Sequence, residues 1–169
     1  MPRDRVDAIV EAEAADPDED TTAAEIVGRI AILSELLHRH FRELLVEHEL
    51  EPGLFDVLAA LRRVDPDGLT PSQLSHTTLV TSGGMTKRLD RLEAAGLVKR
   101  GGRALDRRAV PIALTAKGRR RIDRALAAHH AAKRELLAGI SAAERRRIAD
   151  GLRAVLLTAE ERLPKKSRV

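Results

Sequence analysis

The sequence predicts a mainly α-helical fold that contains one short antiparallel β-hairpin. Apolar residues recur every three or four positions along most of the chain, which is the spacing of helices with one buried face. Three segments carry a Ser or Thr followed three positions later by Glu or Gln, a pattern that begins helices. Two short apolar runs, at 97–100 and 110–114, flank a basic stretch with paired glycines, which is typical of a hairpin.

The composition is that of a globular domain, and it excludes several kinds of chemistry. The 169 residues are 43% hydrophobic and 33% charged, which fits one domain with its own core. Cys is absent, so disulfides, Cys nucleophiles and Cys-type zinc sites are excluded. Trp and Tyr are absent too, and the two Phe residues do not provide the stacking platforms that single-strand readers use. The apolar runs are too short to span a membrane and the acidic start lacks an apolar signal core, so we expect a cytoplasmic protein.

The first third of the chain predicts three helices and a turn. A short leading helix around 6–10 should end at the Asp-Pro-Asp sequence of 16–18. The capping box at 22–25 should begin a long helix. The apolar stripe of that helix comprises Ile26, Ile30, Leu33, Leu37, Phe41 and Leu44. A shorter helix should follow Pro52, and the Asp-Pro-Asp-Gly sequence at 65–68 predicts a turn.

Two short helices come next. Residues 70–73 combine an N-cap Thr, a Pro and a Gln, which together begin a helix. Thr81 or Ser82 should cap the following helix, which runs to about position 95 and stops at Gly96.

The rest of the chain predicts the hairpin and two long helices. Pro111 favours an edge strand because it cannot donate to a ladder. A long helix should begin after Thr115 and extend through Ile140. The capping box at 141–144 should begin a final helix that ends at Pro164.

Charge is distributed unevenly along the chain. Residues 1–60 have a net charge of −10, residues 61–134 of +11 and residues 135–169 of +3, which gives +4 in total. A basic centre indicates that the middle of the chain meets an anion such as nucleic acid. A solvated Arg-rich surface would give the same numbers, so the motifs must decide.

The predicted helix at 82–95 carries apolar and basic residues on opposite faces. At about 100° per residue, the apolar stripe comprises Met85, Leu89, Leu92 and Gly96. The opposite face comprises Gly83, Lys87, Arg91 and Ala94, with Thr86 and Arg88 on its flanks. Two short helices followed by a hairpin form the pattern of a winged helix-turn-helix, whose second helix enters the major groove of DNA with the hairpin beside it.

The hairpin is strongly basic. Its charged residues are Lys99, Arg100, Arg103, Arg107 and Arg108, with one acid, Asp106. An arginine on such a wing can enter a narrow minor groove, and Asp106 can orient a nearby arginine through a charge-assisted hydrogen bond. A solvated loop is the alternative interpretation.

Residues 54–118 resemble the MarR family of bacterial transcriptional regulators. The matching segments are FDVLAALRR, LTPSQLS, TSGGMTKRLDRLEAAGLVKR and DRRAVPIALTAKG, and the flanking helices match in order over about 22–163. The resemblance implies a homodimeric, small-molecule-responsive DNA-binding regulator, most often a repressor, that reads a pseudo-palindromic operator in double-stranded DNA. The expected fold class is mainly α: a winged helix-turn-helix with a small antiparallel wing, and N- and C-terminal helices that form a dimerisation region.

The resemblance also assigns regions and residues. An N-terminal extension occupies 1–20, the dimerisation region occupies 21–50 and 117–165, and the winged helix-turn-helix occupies 53–116. The recognition-helix contacts implied by matching positions are Ser82, Gly83, Thr86, Lys87 and Arg88. The wing signature matches Asp106 and Arg108, with Arg108 as the minor-groove residue. The basic faces described above add Arg91, Arg103 and Arg107 to the candidate DNA contacts.

Dimerisation also agrees with the apolar pattern. The stripes at 26–44 and 148–163 offer more apolar surface than one small DNA-binding lobe could cover. The alternative is that both stripes pack within one monomer.

The leading helix resembles a subgroup of these regulators that responds to urate or to small di- and tricarboxylates. Asp56 and Arg88 match the Asp and Arg of the urate-type ligand site. Trp is absent, however, and Ser34 stands at the position of the ligand-site His, so urate is not expected and a small organic anion is the expected effector. Asp56 and Arg88 could instead form a simple interdomain ion pair.

Other chemistry has little support in the sequence. The six histidines are His38, His40, His48, His76, His129 and His130. Residues at i,i+1 or i,i+2 do not share a helix face, so we expect exposed histidines, no metal site and no cofactor. No catalytic motif is present, so an enzyme is not expected. Two alternatives stay open: a winged-helix module that binds an acidic protein, and a metal-responsive regulator.

Overall fold

The computed structural model describes residues 3–13, 20–78, 82–101 and 110–163, and within them it has seven helices and one two-stranded antiparallel sheet. The helices are α1 (Arg5–Glu13), α2 (Thr21–Glu47), α3 (Pro52–Arg63), α4 (Pro71–Thr77), α5 (Ser82–Ala94), α6 (Ala116–Leu136) and α7 (Ala142–Arg162). The strands are β1 (Val98–Arg100) and β2 (Ile112–Leu114). The predicted fold class is confirmed. No helix in these ranges has an apolar stretch long enough to cross a bilayer.

The core surrounds α3, which lies between the helix-turn-helix and α6. Val57, Leu58 and Leu61 of α3 are at most 1% exposed. They belong to one apolar cluster with residues from α4, α5, the sheet and α6, among them Leu74, Met85, Leu89, Leu92, Ile112, Leu114 and Ile122. This cluster fixes α4, α5 and the sheet relative to one another.

The sheet pairs Val98 with Leu114 and Arg100 with Ile112. Ile112 also exchanges two backbone hydrogen bonds with Leu69, at 3.0 and 2.8 Å, so Leu69, two positions before α4, extends the sheet. Both strands are shorter than the runs at 97–100 and 110–114 that predicted them. Leu97 and Val110 lie outside the ladder, although both are buried.

Of the three capping boxes predicted from the sequence, two are confirmed and one is corrected. Thr70 with Gln73 and Ser141 with Glu144 form reciprocal capping boxes, which confirms both predictions. The long helix α2, in contrast, is capped by Asp20 and not by Thr22. The Asp20 carboxylate accepts hydrogen bonds from the backbone N–H groups of Thr22 and Ala23, at 3.0 and 3.3 Å, and so satisfies two donors of the first turn that lack partners within the helix.

The leading helix α1 packs on α2, where Val6 is only 2% exposed. A Cβ at Gly28 would lie 3.0 Å from a Val6 methyl, so the absence of a side chain allows this close approach. Arg29 of α2 donates to Asp4 at 2.8 Å and to Asp7 at 2.6 Å, and thereby ties the N-terminal end of α1 to α2.

The two predicted C-terminal helices are present, but the first is shorter than the segment that we expected between Thr115 and Ile140. Helix α6 ends at Leu136, and a turn closed by an N–H···O bond from Ile140 to Leu137 at 3.0 Å leads to α7. No residue of α7 is buried. Its apolar residues Ile148, Leu152 and Leu156 are 49%, 45% and 58% exposed, and Ile26 and Leu33 of α2 are exposed to a similar degree.

Candidate nucleic-acid interface

The apolar face of α5 points into the core, as predicted from residues 82–95. Met85, Leu89 and Leu92 are at most 1% exposed. Gly96 is a correction, because it is exposed and does not belong to the apolar stripe. Its φ of +67° ends the helix, and glycine adopts this conformation without strain.

Helix α4 packs against α5 and thereby completes the two-helix unit. Leu74 of α4 is fully buried, and the hydroxyl of Thr78 donates to the Leu74 carbonyl at 2.7 Å, so the polar group at the end of α4 is satisfied. Ser82 and Gly83 are the first two residues of α5. This arrangement fixes the direction in which the outer face of α5 points.

The outer face of α5 presents Thr86 and Lys87. Both are exposed, and within the described residues Lys87 forms no ion pair with a carboxylate. A hydroxyl and an ammonium group on an exposed helix face are suited to contacts with base edges and phosphates.

Arg88 points to the side of α5 that faces α3. It is half-buried, and its guanidinium lies against the backbone of Gly53, where a Cβ would be 2.5 Å from Nε. Gly53 therefore makes room for Arg88 at the start of α3. Sequence reasoning placed Arg88 on a flank of the basic face but contained no signal for this contact.

Arg91 also turns toward α3, where it forms a bidentate ion pair with Glu51. The two N–O distances are 2.8 and 2.5 Å. This hydrogen bonding holds the pKa of Glu51 below its ordinary value. The sequence predicts Arg91 on the outward face with Lys87, whereas the structure directs its guanidinium to Glu51, the residue that precedes α3.

The candidate ligand residues are only partly brought together. Burial raises the pKa of Asp56 above its ordinary value, and the nearby charges of Arg88 and Arg63 oppose the rise without a hydrogen bond. Asp56 and Arg88 are therefore neighbours. Ser34 is exposed on α2 and has no hydrogen bond to either side chain among the described contacts.

The base of the wing adjoins α5. Lys99 is exposed, whereas Arg100 contacts two carboxylates of α5, Asp90 and Glu93, a pairing that the sequence analysis did not anticipate. The remaining wing predictions, for Arg103, Asp106, Arg107 and Arg108, lie outside the described residues.

The end of α5 is bonded to the start of α6. The Thr115 hydroxyl donates to the Gly96 carbonyl at 2.7 Å, and the Lys117 ammonium donates to the Ala95 carbonyl at 2.8 Å. A Cβ at Gly118 would lie 1.9 Å from the Leu97 carbonyl oxygen, so the backbones touch here. Helix α5 is thus joined directly to α6.

Two histidines depart from the prediction of exposed histidines, because His48 and His129 are both half-buried. His129 is half-buried between Phe41 and Phe55, with ring centroids 4.5 and 5.0 Å away. Burial lowers its pKa, and the charges of Lys133 and His130 act in the same direction. The described part of the chain contains no group of three or more His, Cys, Asp or Glu side chains placed to hold a metal ion.

Comparisons with known proteins agree with this architecture. The family model that matches is that of the MarR family, over residues 48–109. The HTH-type transcriptional regulator PecS of Dickeya dadantii (strain 3937) is 34% identical over 148 residues, which cover 87% of each chain. A mutant MarR from E. coli complexed with operator DNA superposes with a TM-score of 0.65 at 26% identity, over 78% of this chain and 96% of that one. Staphylococcus aureus MarR in complex with salicylate and kanamycin gives a TM-score of 0.75 at 15% identity, over 85% and 95% of the two chains.

Proposed function

The chain belongs to the MarR family of winged-helix transcriptional regulators, and on this basis we propose that it is a homodimeric repressor that reads a pseudo-palindromic operator and releases it when a small organic anion binds. Its relatives are transcriptional regulators and not enzymes. Since operator DNA is its partner, the proposed place of action is the cytoplasm.

One observation carries the DNA-binding proposal: the division of α5 into a buried apolar face and an exposed face with Thr86 and Lys87. In this proposal α5 enters the major groove with its first turns, so that Ser82, Gly83, Thr86 and Lys87 reach base edges and phosphates. Arg88 and Arg91 contribute positive charge from the side that faces α3.

In the same proposal, the wing, which is the hairpin that contains β1 and β2, occupies the minor groove next to the major groove that α5 enters. The sheet lies beside α5, and the N–H of Gly101 donates to the Pro111 carbonyl at 2.8 Å, which closes the base of the hairpin. From this base we propose that Arg108 enters the adjacent minor groove, with Arg103 and Arg107 on phosphates and Asp106 orienting an arginine.

A second copy of the chain is the proposed cover for α2 and α7. Since no residue of α7 is buried, the stripe of Ile148, Leu152 and Leu156 has no partner among the described elements. Exposed apolar stripes of this length favour association, and two-fold symmetry is the commonest form of association. A two-fold dimer would present its two α5 helices to half-sites about one helical turn, 34–36 Å, apart.

The effector site is proposed between α2, α3 and α5, at Ser34, Asp56 and Arg88. Support comes from the half-buried guanidinium of Arg88 and from the raised pKa of Asp56, which marks a partly desolvated carboxyl. An anion that binds Arg88 would act on the helix that contacts DNA. It would shift the protein between two arrangements only through a difference in its affinity for them.

Selection of duplexes from a random library tests this function. The full chain should enrich one pseudo-palindromic sequence whose half-sites are about one helical turn apart. Recovery of no common sequence, with the protein folded and dimeric, would contradict the proposal. Selection repeated with Lys87→Ala protein should enrich the sequence less strongly.

A further inference from the structure

The side of α5 that faces the wing carries two carboxylates, Asp90 and Glu93. Helical geometry places them on the same flank as Thr86, a proposed DNA contact. Their side chains are 61% and 43% exposed. Carboxylates on a helix that enters a DNA groove are repelled by the phosphates, so their presence there needs a physical reason.

Arg100 engages both of them. This last residue of β1 donates from Nη2 to Asp90 at 2.7 Å and from Nε to Glu93 at 2.9 Å. Its side chain is only 21% exposed, less than either acid. The donors in the guanidinium fork are therefore directed at α5 rather than outward.

This contact is also the last side-chain link between the recognition helix and the wing before 102–109. Val98 of the same strand is buried in the core, and Gly101 begins the hairpin base. A three-residue strand forms few ladder hydrogen bonds. The ion pairs of Arg100 with Asp90 and Glu93 therefore contribute much of what fixes the direction in which β1 leaves the core.

Resting on the DNA-binding function proposed above, we propose that Arg100 is a positioning residue: through Asp90 and Glu93 it holds the wing at a fixed place beside α5 and screens both carboxylates from the DNA backbone. Arg100 itself does not contact DNA. The partners it acts on are the two acids of the recognition helix.

A double-mutant cycle on the full chain tests the assignment, with the duplex that the wild-type protein selects as the probe. Arg100→Gln leaves a shorter, polar side chain without charge, and it should weaken binding about tenfold. In a chain that already carries Asp90→Asn and Glu93→Gln, the same change should alter affinity by less than about twofold, because nothing is left to screen. Arg146→Gln, on the side of α7 away from its apolar stripe, is the matched charge control.

Hydroxyl-radical footprinting supplies the readout for position. Protection of the minor groove beside each half-site should decrease both in Arg100→Gln and in Asp90→Asn/Glu93→Gln, while contacts in the major groove persist. If Arg100→Gln fails to fold, the Asp90→Asn/Glu93→Gln footprint decides, and full protection there overturns the proposal.

Three further results would overturn it. One is wild-type affinity in Arg100→Gln. Another is an equal loss in both backgrounds, with a salt slope reduced by about one, which would make Arg100 a direct phosphate contact. The last is failure of the wild-type protein to select any duplex, which refutes the DNA-binding function itself and is recognised before any variant is made.

Discussion

The polar side chains of α5 from Thr86 to Glu93 fall into three groups according to the direction in which they point. Arg88 and Arg91 turn toward α3, where Glu51 binds Arg91. Asp90 and Glu93 turn toward the wing and bind Arg100. The outer face is left to Thr86 and Lys87. Helical spacing alone predicted that Lys87 is exposed, but it could not predict these partners, because Glu51 and Arg91 are 40 positions apart and meet only in the folded chain.

Lys87→Ala is expected to weaken operator binding by about 1–3 kcal/mol, since it removes an exposed charge from the proposed groove face. Fluorescence anisotropy at a fixed salt concentration measures the change. Arg146→Ala removes the same charge from α7 and should leave the affinity unchanged. Equal affinity for Lys87→Ala and wild type would contradict the groove assignment.

His129 is expected to make folding stability depend on pH. Its pKa is lowered in the folded chain by burial, so the unfolded chain takes up a proton first as the pH falls. The stability is complete above the unfolded pKa of about 6.5 and decreases as the pH falls from there through the lowered folded value. Urea unfolding at pH 8 and pH 5 should show a smaller acid loss in His129→Leu than in wild type. An identical loss in both proteins would assign the pH effect to other groups.

Among the secondary-structure elements described, α5 and α6 are connected by the tightest backbone contact near the candidate nucleic-acid interface, that of Gly118 with Leu97. Thr115 and Lys117 donate to carbonyls at the end of α5, which would otherwise lack partners, and Gly118 lets the two backbones touch. We therefore expect a displacement of α6 to move α5, the proposed recognition helix. The sequence could predict the helix start after Thr115, but not that Gly118 would face the Leu97 carbonyl.

Gly118→Ala tests this joint. Its added methyl would overlap the Leu97 carbonyl oxygen, a backbone atom that cannot rotate away, so the free energy of unfolding should decrease by about 1–3 kcal/mol. Gly139→Ala is the matched control, because a Cβ there meets nothing within 4 Å. Chemical denaturation of both variants measures the difference, and equal stabilities would refute the close contact.

Elements with local signals were predictable, and those set by tertiary contacts were not. The capping boxes at Thr70 and Ser141 specify their helix starts through side chains three residues apart. Helix α2 begins at Thr21, earlier than the capping box predicted, because the Asp20 carboxylate accepts from the N–H groups of Thr22 and Ala23 and so caps the helix first. His129 was expected to be exposed, but it packs on Phe41 and Phe55, whose position depends on how α2, α3 and α6 meet.

For the whole molecule, the uncovered stripes of α2 and α7 are the main reason to expect a dimer. The stripe on α7 has Ile148 and Leu152 exposed, with no buried residue anywhere along the helix. The acidic first 60 residues and the basic centre of the chain also differ strongly in charge. Two copies related by a two-fold axis would cover the apolar faces and leave both α5 helices accessible.

Leu152→Glu should convert the dimer to a monomer of 18.5 kDa, because it places a charge in the centre of the α7 stripe. Light scattering after size-exclusion chromatography measures the mass. Leu157→Glu is the control, since Leu157 is 59% exposed and lies on the side of α7 away from the stripe. Loss of the dimer in both variants, or in neither, would contradict the proposed interface.

Competition between two duplexes is the sharpest test of the claim that the protein binds DNA sequence-specifically through α5. The full chain, bound to the sequence that it enriches, is titrated with unlabelled copies of that duplex and of a shuffled duplex of the same composition at one salt concentration. A winged-helix reader of sequence should prefer its own duplex by about 10³-fold or more. Equal competition by the two duplexes would mean that the basic surface binds polyanions without reading them, and that α5 is not a recognition helix.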